Sequence, residues 1–206
     1  MYENWSDDAV RWTNAASRDR VASMANVEGR ATAITVLTPY KPVGRLLLPI
    51  VFWIGRHVEA TLEKLQALSF IHYARWVVIK RFPDGGSGER LKYPYLMFES
   101  NFNGSWDQYI DAFSEVVPER MRGIWGTSYG FPGPIPVEPF KDYIRVNEYV
   151  ANHYYNAYPG ATTTEIISAS KVQAALAELR ARAPGLDADA FKAAYDDMLT
   201  SIQHDL

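Results

Sequence analysis

The sequence contains no cysteine, which removes disulfides, thiolate metal sites, iron–sulfur clusters and a cysteine nucleophile together. Histidine is scarce: the four are His57, His72, His153 and His204. No His-x-x-x-His or Glu-x-x-His pair occurs among them, so a mononuclear metal site would need ligands gathered by the fold. Neither sign of charge dominates, since 24 acidic and 21 basic residues are well mixed and leave a net charge of −3. Without a basic stripe to track phosphates, no nucleic-acid partner is expected. Walker A and Gly-x-Gly-x-x-Gly patterns are missing, which argues against P-loop hydrolysis and Rossmann cofactors. Long apolar runs are missing too. The stretch Leu46–Ile54 is apolar at nine successive positions, far short of the roughly 20 needed to span a bilayer. The opening Met1–Asp8 has no basic region followed by an apolar one, so a cytoplasmic location is expected, at most peripheral to the inner face of the membrane.

What the sequence has in quantity is aromatic side chains: 14% of residues, with 6 Trp and 13 Tyr. Tyr and Trp join a large apolar area to one polar atom, which suits amphipathic cavities and interfaces as well as ordinary cores. Both uses are open at this stage.

Along the chain, Ser6 is placed to cap a first helix over Asp7–Asn26. Ala31–Thr38 is rich in β-branched residues and reads as a strand ended by Pro39 and Pro42. Gly44–Ala67 reads as mostly helical, with Pro49 kinking it or marking its first turn. Phe70–Lys80 is the clearest strand. The Gly-rich turn Pro83–Glu89 and a second strand at Tyr93–Ser100 make an antiparallel hairpin the natural pairing. Asn101–Gly104 reads as a tight turn before a helix capped by Ser105, with Gln108 at the capping-box spacing. Trp106 and Phe113 are expected on the buried face of that helix. A helical piece then runs to Gly126, a Pro/Gly-rich loop covers Gly130–Pro136, and a short helix lies near Pro139–Arg145. A strand is expected at Tyr149–Tyr158, and two closing helices at Thr162–Ala183 and Asp187–Gln203.

Read in order, Ala31–Tyr158 gives β, α, β, β, α and β, the split-βαβ pattern of a ferredoxin-like antiparallel sheet. The expectation is one α+β domain over residues 1–206, with its core at 31–158 and extra helices at 6–27 and 162–203.

The passages Ser69–Trp76 (SFIHYARW) and Phe98–Ile110 (FESNFNGSWDQYI) resemble a family of uncharacterised bacterial proteins, over about Arg45–Tyr158. That family carries no established activity and supplies no catalytic residues. The implied fold is also similar to that of the dimeric α+β-barrel superfamily, which includes haem peroxidases and cofactor-free monooxygenases. The Gly-x-x-Asp-Gly peroxidase motif is not present, so the resemblance stays at the level of fold.

The candidate ligand-binding residues are His72, Arg75, Asn101, Asn103, Ser105, His153 and Tyr154. Asn101, Asn103 and Ser105 would offer amides and a helix N-terminus to a polar head group; plain turn-and-cap chemistry is the simpler explanation and needs no ligand. Strict alternation puts His72 with Ala74 and Trp76, and Arg75 on the opposite face, unless a bulge intervenes. His153 and Tyr154 belong to a stretch of hydroxyls, amides and an imidazole that would wall a polar-aromatic cavity, an edge or a subunit contact. Haem held by His72 or His153 is one cofactor the composition allows. Gly126–Gly130 matches Gly-x-Ser-x-Gly, but without the strand-to-helix elbow that chemistry requires. Catalytic residues are not assigned.

Leu46–Ile54 would cover every side of two helical turns with apolar side chains, flanked by Lys41, Arg45, Arg56 and His57. It is either buried within the domain, or its exposed side meets a partner subunit, a membrane interface or an apolar ligand. Two functional readings follow. One is a binding protein or small enzyme with an aromatic-lined pocket for an apolar small molecule, lipid-like or haem-like. The other is a non-catalytic module docking through Leu46–Ile54 onto a membrane surface or protein partner, with a homo-oligomer compatible with either.

Overall fold

The structure is a computed structural model and describes residues 26–57, 68–81 and 90–206. The chain divides into two compact units, Met1–Pro159 and Gly160–Leu206. The expected core at 31–158 falls within the first; the helices expected at 162–203 make up the second. The helix expected at Asp7–Asn26, the continuation of the next helix over 58–67 and the turn Pro83–Glu89 lie outside the described residues, Asn26 excepted.

The first unit is built on a four-stranded antiparallel sheet in the order β1-β2-β4-β3. Its strands are β1 (Val27–Glu28), β2 (Ala31–Pro39), β3 (Ile71–Arg81) and β4 (Arg90–Asn103). The expected hairpin is present: β3 pairs with β4 along its length, Arg75 opposite Glu99 and Trp76 opposite Phe98. Helix α1 (Gly44–His57) joins β2 to β3, and those two strands flank β4. Three more helices follow, α2 (Trp106–Val116), α3 (Pro118–Trp125) and α4 (Val137–Asn147).

Period-2 alternation decides which side of the sheet is core. Ile34, Val36 and Thr38 of β2 and Leu96, Phe98, Ser100 and Phe102 of β4 are buried on one face. The helices deliver aromatic rings to that face. Phe98 meets Trp76 at 5.1 Å, Trp125 at 5.3 Å and Phe113 at 6.4 Å between centroids. Tyr109 stacks on Phe102 at 3.9 Å. Offset and edge-to-face contacts of this kind add specificity to the burial itself. Phe113 is buried as expected, whereas Trp106 is only half-buried and sits at the rim of the helix face.

Three expectations are corrected. Asn101–Gly104 is not a turn: β4 continues through Asn103, pairing Asn101, Phe102 and Asn103 with Ala33, Thr32 and Ala31. Buried Phe102 between two outward amides extends the alternation, which overrides the turn preference of asparagine. The bend is left to Gly104, at φ 101°. Tyr149–Tyr158 is not a strand. The residue before it, Glu148, bridges to Val36, and the segment itself adds one ladder-type bond, from Tyr149 N–H to the Thr35 carbonyl at 2.8 Å. Beyond that its backbone N–H groups bond to side chains: Ala151 N–H to Asn26 Oδ1 at 2.7 Å, Tyr158 N–H to Asn156 Oδ1 at 3.0 Å. Neither alternating face is apolar, so nothing holds it flat against the sheet. Val27, placed at the end of the first helix, belongs to β1.

The second unit is a helical pair, α5 (Thr163–Arg182) and α6 (Ala188–Ser201), joined by a 3-10 turn at Ala183–Gly185. Thr162 and Glu165 form a capping box, and Asp187 caps α6 by accepting from Ala190 N–H. Leu179, Ala194, Met198 and Ile202 form its small core.

Candidate functional site

On the sheet face away from the helices, β4 carries Met97, Glu99 and Asn101, opposite Val77, Arg75 and Tyr73 of β3. Arg75 donates to the Glu99 carboxylate through Nε and Nη2, so this candidate is held as a cross-strand ion pair. Asn101 Nδ2 donates to the Tyr154 hydroxyl at 3.0 Å. These two candidates are therefore brought together, although 53 residues separate them. Burial chiefly, and then the neighbouring Tyr73, pushes the Tyr154 phenol above its usual range, against the Asn101 hydrogen bond.

The other candidates have different roles. Asn103 Nδ2 donates to the Arg30 carbonyl at 2.8 Å and fixes the β1–β2 hairpin. Ser105 caps α2, its hydroxyl accepting from Gln108 N–H while the Gln108 amide accepts from Ser105 N–H. His72 falls at a register shift between the pairs Ile71–Phe102 and Tyr73–Asn101. The bulge resets the alternation, so Ile71, despite its odd spacing from them, shares the core-facing side with Ala74 and Trp76. The His72 Nε2 atom is buried without a hydrogen-bond partner, and His153 is exposed on the irregular segment. Among the described residues no group of three or more His, Asp and Glu is placed to hold a metal ion.

Ser128 of the Gly-x-Ser-x-Gly match is buried. It bridges to Tyr40 and shares a hydrogen bond with Thr38 Oγ1 at 3.3 Å. Its hydroxyl belongs to the interior, which is the loop reading of that motif.

The apolar segment gives the clearest surface feature. In α1 only Gly44 and Leu48 are buried, with Val51 and Phe52 packed partly against the core. Gly44 permits this approach, because a Cβ there would lie 2.6 Å from both Thr127 Oγ1 and the Tyr40 ring. The remaining apolar side chains point away. Leu46 is 74% exposed, Trp53 61% and Ile50 55%, with Val43, Leu47 and Ile54 also exposed. Full burial of the segment is thus excluded for the described residues. At about 100° per residue, Val43, Leu46, Leu47, Ile50, Trp53 and Ile54 share one arc, roughly opposite Leu48. The helix has two apolar faces, one used by the core and one presented outward. No helix among the described residues is long and apolar enough to cross a membrane.

One polar site had no signal in the sequence. Glu148, just past α4, accepts from the Trp106 indole N–H at 2.8 Å. Arg145 lies over the Trp106 ring, 4.5 Å from its centroid, and also holds Asp107 at 2.9 Å. Burial raises the Glu148 carboxyl to about 7, against the opposing effects of Trp106, Arg145 and Asn26. A lone Glu after an amphipathic helix reads as a solvated charge; the packing of α2 on α4, with Asn26 and the bridge to Val36 beside it, encloses it.

Compared with known proteins, the chain matches no family model, no curated protein and no solved structure.

Proposed function

We propose that this chain is a docking module that attaches peripherally to a membrane surface through the outer face of α1. The observation that carries the reading is the exposure of Leu46, Ile50 and Trp53 on a helix whose opposite face already packs on the core. Fully burying a large aliphatic side chain stabilises by about 1.5–3 kcal/mol. Five such residues, each about half exposed, would gain on the order of 5 kcal/mol on entering an interface. That suits reversible attachment, and a helix lying in the interfacial plane needs no spanning length. The test is flotation with phosphatidylcholine vesicles. Wild-type protein should float, and Leu46→Asp with Ile50→Asp should stay at the bottom with an unchanged circular dichroism spectrum. Equal behaviour of the two proteins sinks the reading, as does a wild-type dimer in solution that the same substitutions dissociate.

We read the sheet as a ferredoxin-like core whose fourth strand has been reduced to a bridge. Support comes from β2 and β3 flanking β4, and from Glu148 and Tyr149 touching β2 at its other edge. Kinship with the bacterial family that shares the two motifs belongs to the same proposal.

A second reading, a binding protein for an apolar small molecule with a polar head, is favoured by the joined Asn101 and Tyr154 beside exposed Tyr73. Mass spectrometry of native protein would show a co-purifying compound, lost in Asn101→Ala with Tyr154→Phe. A clean spectrum from protein that still floats with vesicles removes this reading and leaves the first.

A further inference from the structure

Resting on the docking reading, we infer that the membrane α1 docks on is anionic, its head groups met by Arg45, Arg56 and Lys41. The chain as a whole is acidic, with a net charge of −3, and would be repelled by a negatively charged surface. Residues 41–57 reverse that sign locally: they contain Lys41, Arg45 and Arg56 and no Asp or Glu. Arg45 and Arg56 are eleven positions apart, which is close to three helical turns, so they project from the same side about 16 Å apart. That side borders the exposed apolar arc and lies between it and the core-facing side. Both arginines are exposed, and α1 holds no carboxylate to neutralise them. A row of guanidinium groups beside an apolar strip is the arrangement that lets side chains enter the acyl boundary while the cations stay at phosphate level.

Trp53 is placed for the same boundary. It lies on the exposed arc, its ring stacks with His57 at 5.0 Å, and His57 Nδ1 donates to the Trp53 carbonyl at 2.9 Å. Tryptophan favours the head-group level of a bilayer. The same charges argue against a second copy of this chain as occupant. A two-fold pairing through α1 sets one surface against itself, which would bring two arginine-bearing helices together with no acid on either among the described residues 41–57.

The experiment compares vesicles of phosphatidylcholine alone with phosphatidylcholine mixed with phosphatidylserine, following flotation of the full chain and the change in tryptophan emission that Trp53→Phe removes. Three basic groups near an anionic surface should raise the apparent affinity roughly a hundredfold at low salt, an increment that added salt removes. Arg45→Gln with Arg56→Gln should lose most of the phosphatidylserine increment while keeping the weaker phosphatidylcholine binding, with an unchanged thermal midpoint. Equal affinity for both membranes, or an increment that survives the double substitution, overturns the anionic assignment and leaves docking intact. Binding to neither membrane overturns both. Salt-sensitive capture by an acidic protein without vesicle binding would also overturn both.

Discussion

The Trp106 indole N–H and the Glu148 carboxylate meet at 2.8 Å, joining the first residue of α2 to the chain just beyond α4. Burial holds this carboxyl at about 7, from a usual 4.5. An acid whose folded pKa is raised favours the fold while it is protonated in both states. Its contribution is therefore fully present below about pH 4.5 and is lost as pH rises through 7. The upper bound for such a shift is about 3 kcal/mol. Chemical denaturation between pH 5 and pH 8 should show this loss in the wild type and a much flatter profile in Glu148→Gln. A parallel pair of profiles would contradict the assignment.

Lys141 is buried in α4 with its ammonium 2.7 Å from Asp111 and 3.5 Å from both Asp107 and Glu138. Lys141→Met would leave three carboxylates grouped around an apolar tip. The acids are partly exposed, so the expected loss is about 1–3 kcal/mol, below that of a fully enclosed pair. Adding Asp111→Asn should recover part of it. Urea melts of the two single variants and the double variant measure this coupling, and strict additivity would show that the cluster does not act as a unit.

Phe113 fills the space between Phe98 and Tyr109, at 6.4 and 4.8 Å between ring centroids. Phe113→Ala should cost about 3–5 kcal/mol, whereas Trp106→Phe, at the rim, should cost less. The order of the two denaturation midpoints is the measurement, and a reversed order would move the centre of the core.

The sequence makes the hairpin of β3 and β4 and the Ser105 cap readable, because both depend on neighbours in the chain: β-branched alternation in one case, a three-residue spacing in the other. It also marks the apolar excess of Leu46–Ile54, but not which part of it would be covered. That depends on Gly44 admitting the Tyr40 ring and Thr127, the second of them distant in sequence. Composition misleads at Asn101 and Asn103, where turn-forming residues sit outward on a strand, and at Tyr149–Tyr158, where alternation occurs without a core face to use it. The pairing of Asn101 with Tyr154 and the enclosure of Glu148 are products of packing over 53 and 42 residues. No local pattern encodes them.

Gly29 turns β1 into β2 at φ 62°, and a Cβ there would lie 2.1 Å from the Pro159 carbonyl oxygen. Gly29→Ala meets a backbone atom as well as an unfavourable left-handed φ, which alone costs about 1–2 kcal/mol. The expected total is about 2–4 kcal/mol, with faster amide exchange at Arg30, whose N–H donates to the Pro159 carbonyl. Unchanged exchange there would mean that the neighbouring chain gives way freely.

That bond between Arg30 and Pro159, with the one between Ala151 and Asn26, also sets a timetable. The opening hairpin of the sheet leans on the segment that closes the first unit, so its outer edge stays incomplete until residue 159 has left the ribosome. β3, β4 and α2 are contiguous and the β1–β2 turn is local, so both can assemble while synthesis continues, but the bond from that turn to Pro159 must wait for a loop of more than a hundred residues to close. The edge of β2 at Thr35 and Val36 waits in the same way for Glu148 and Tyr149, and a nascent chain halted before them offers it to any strand nearby.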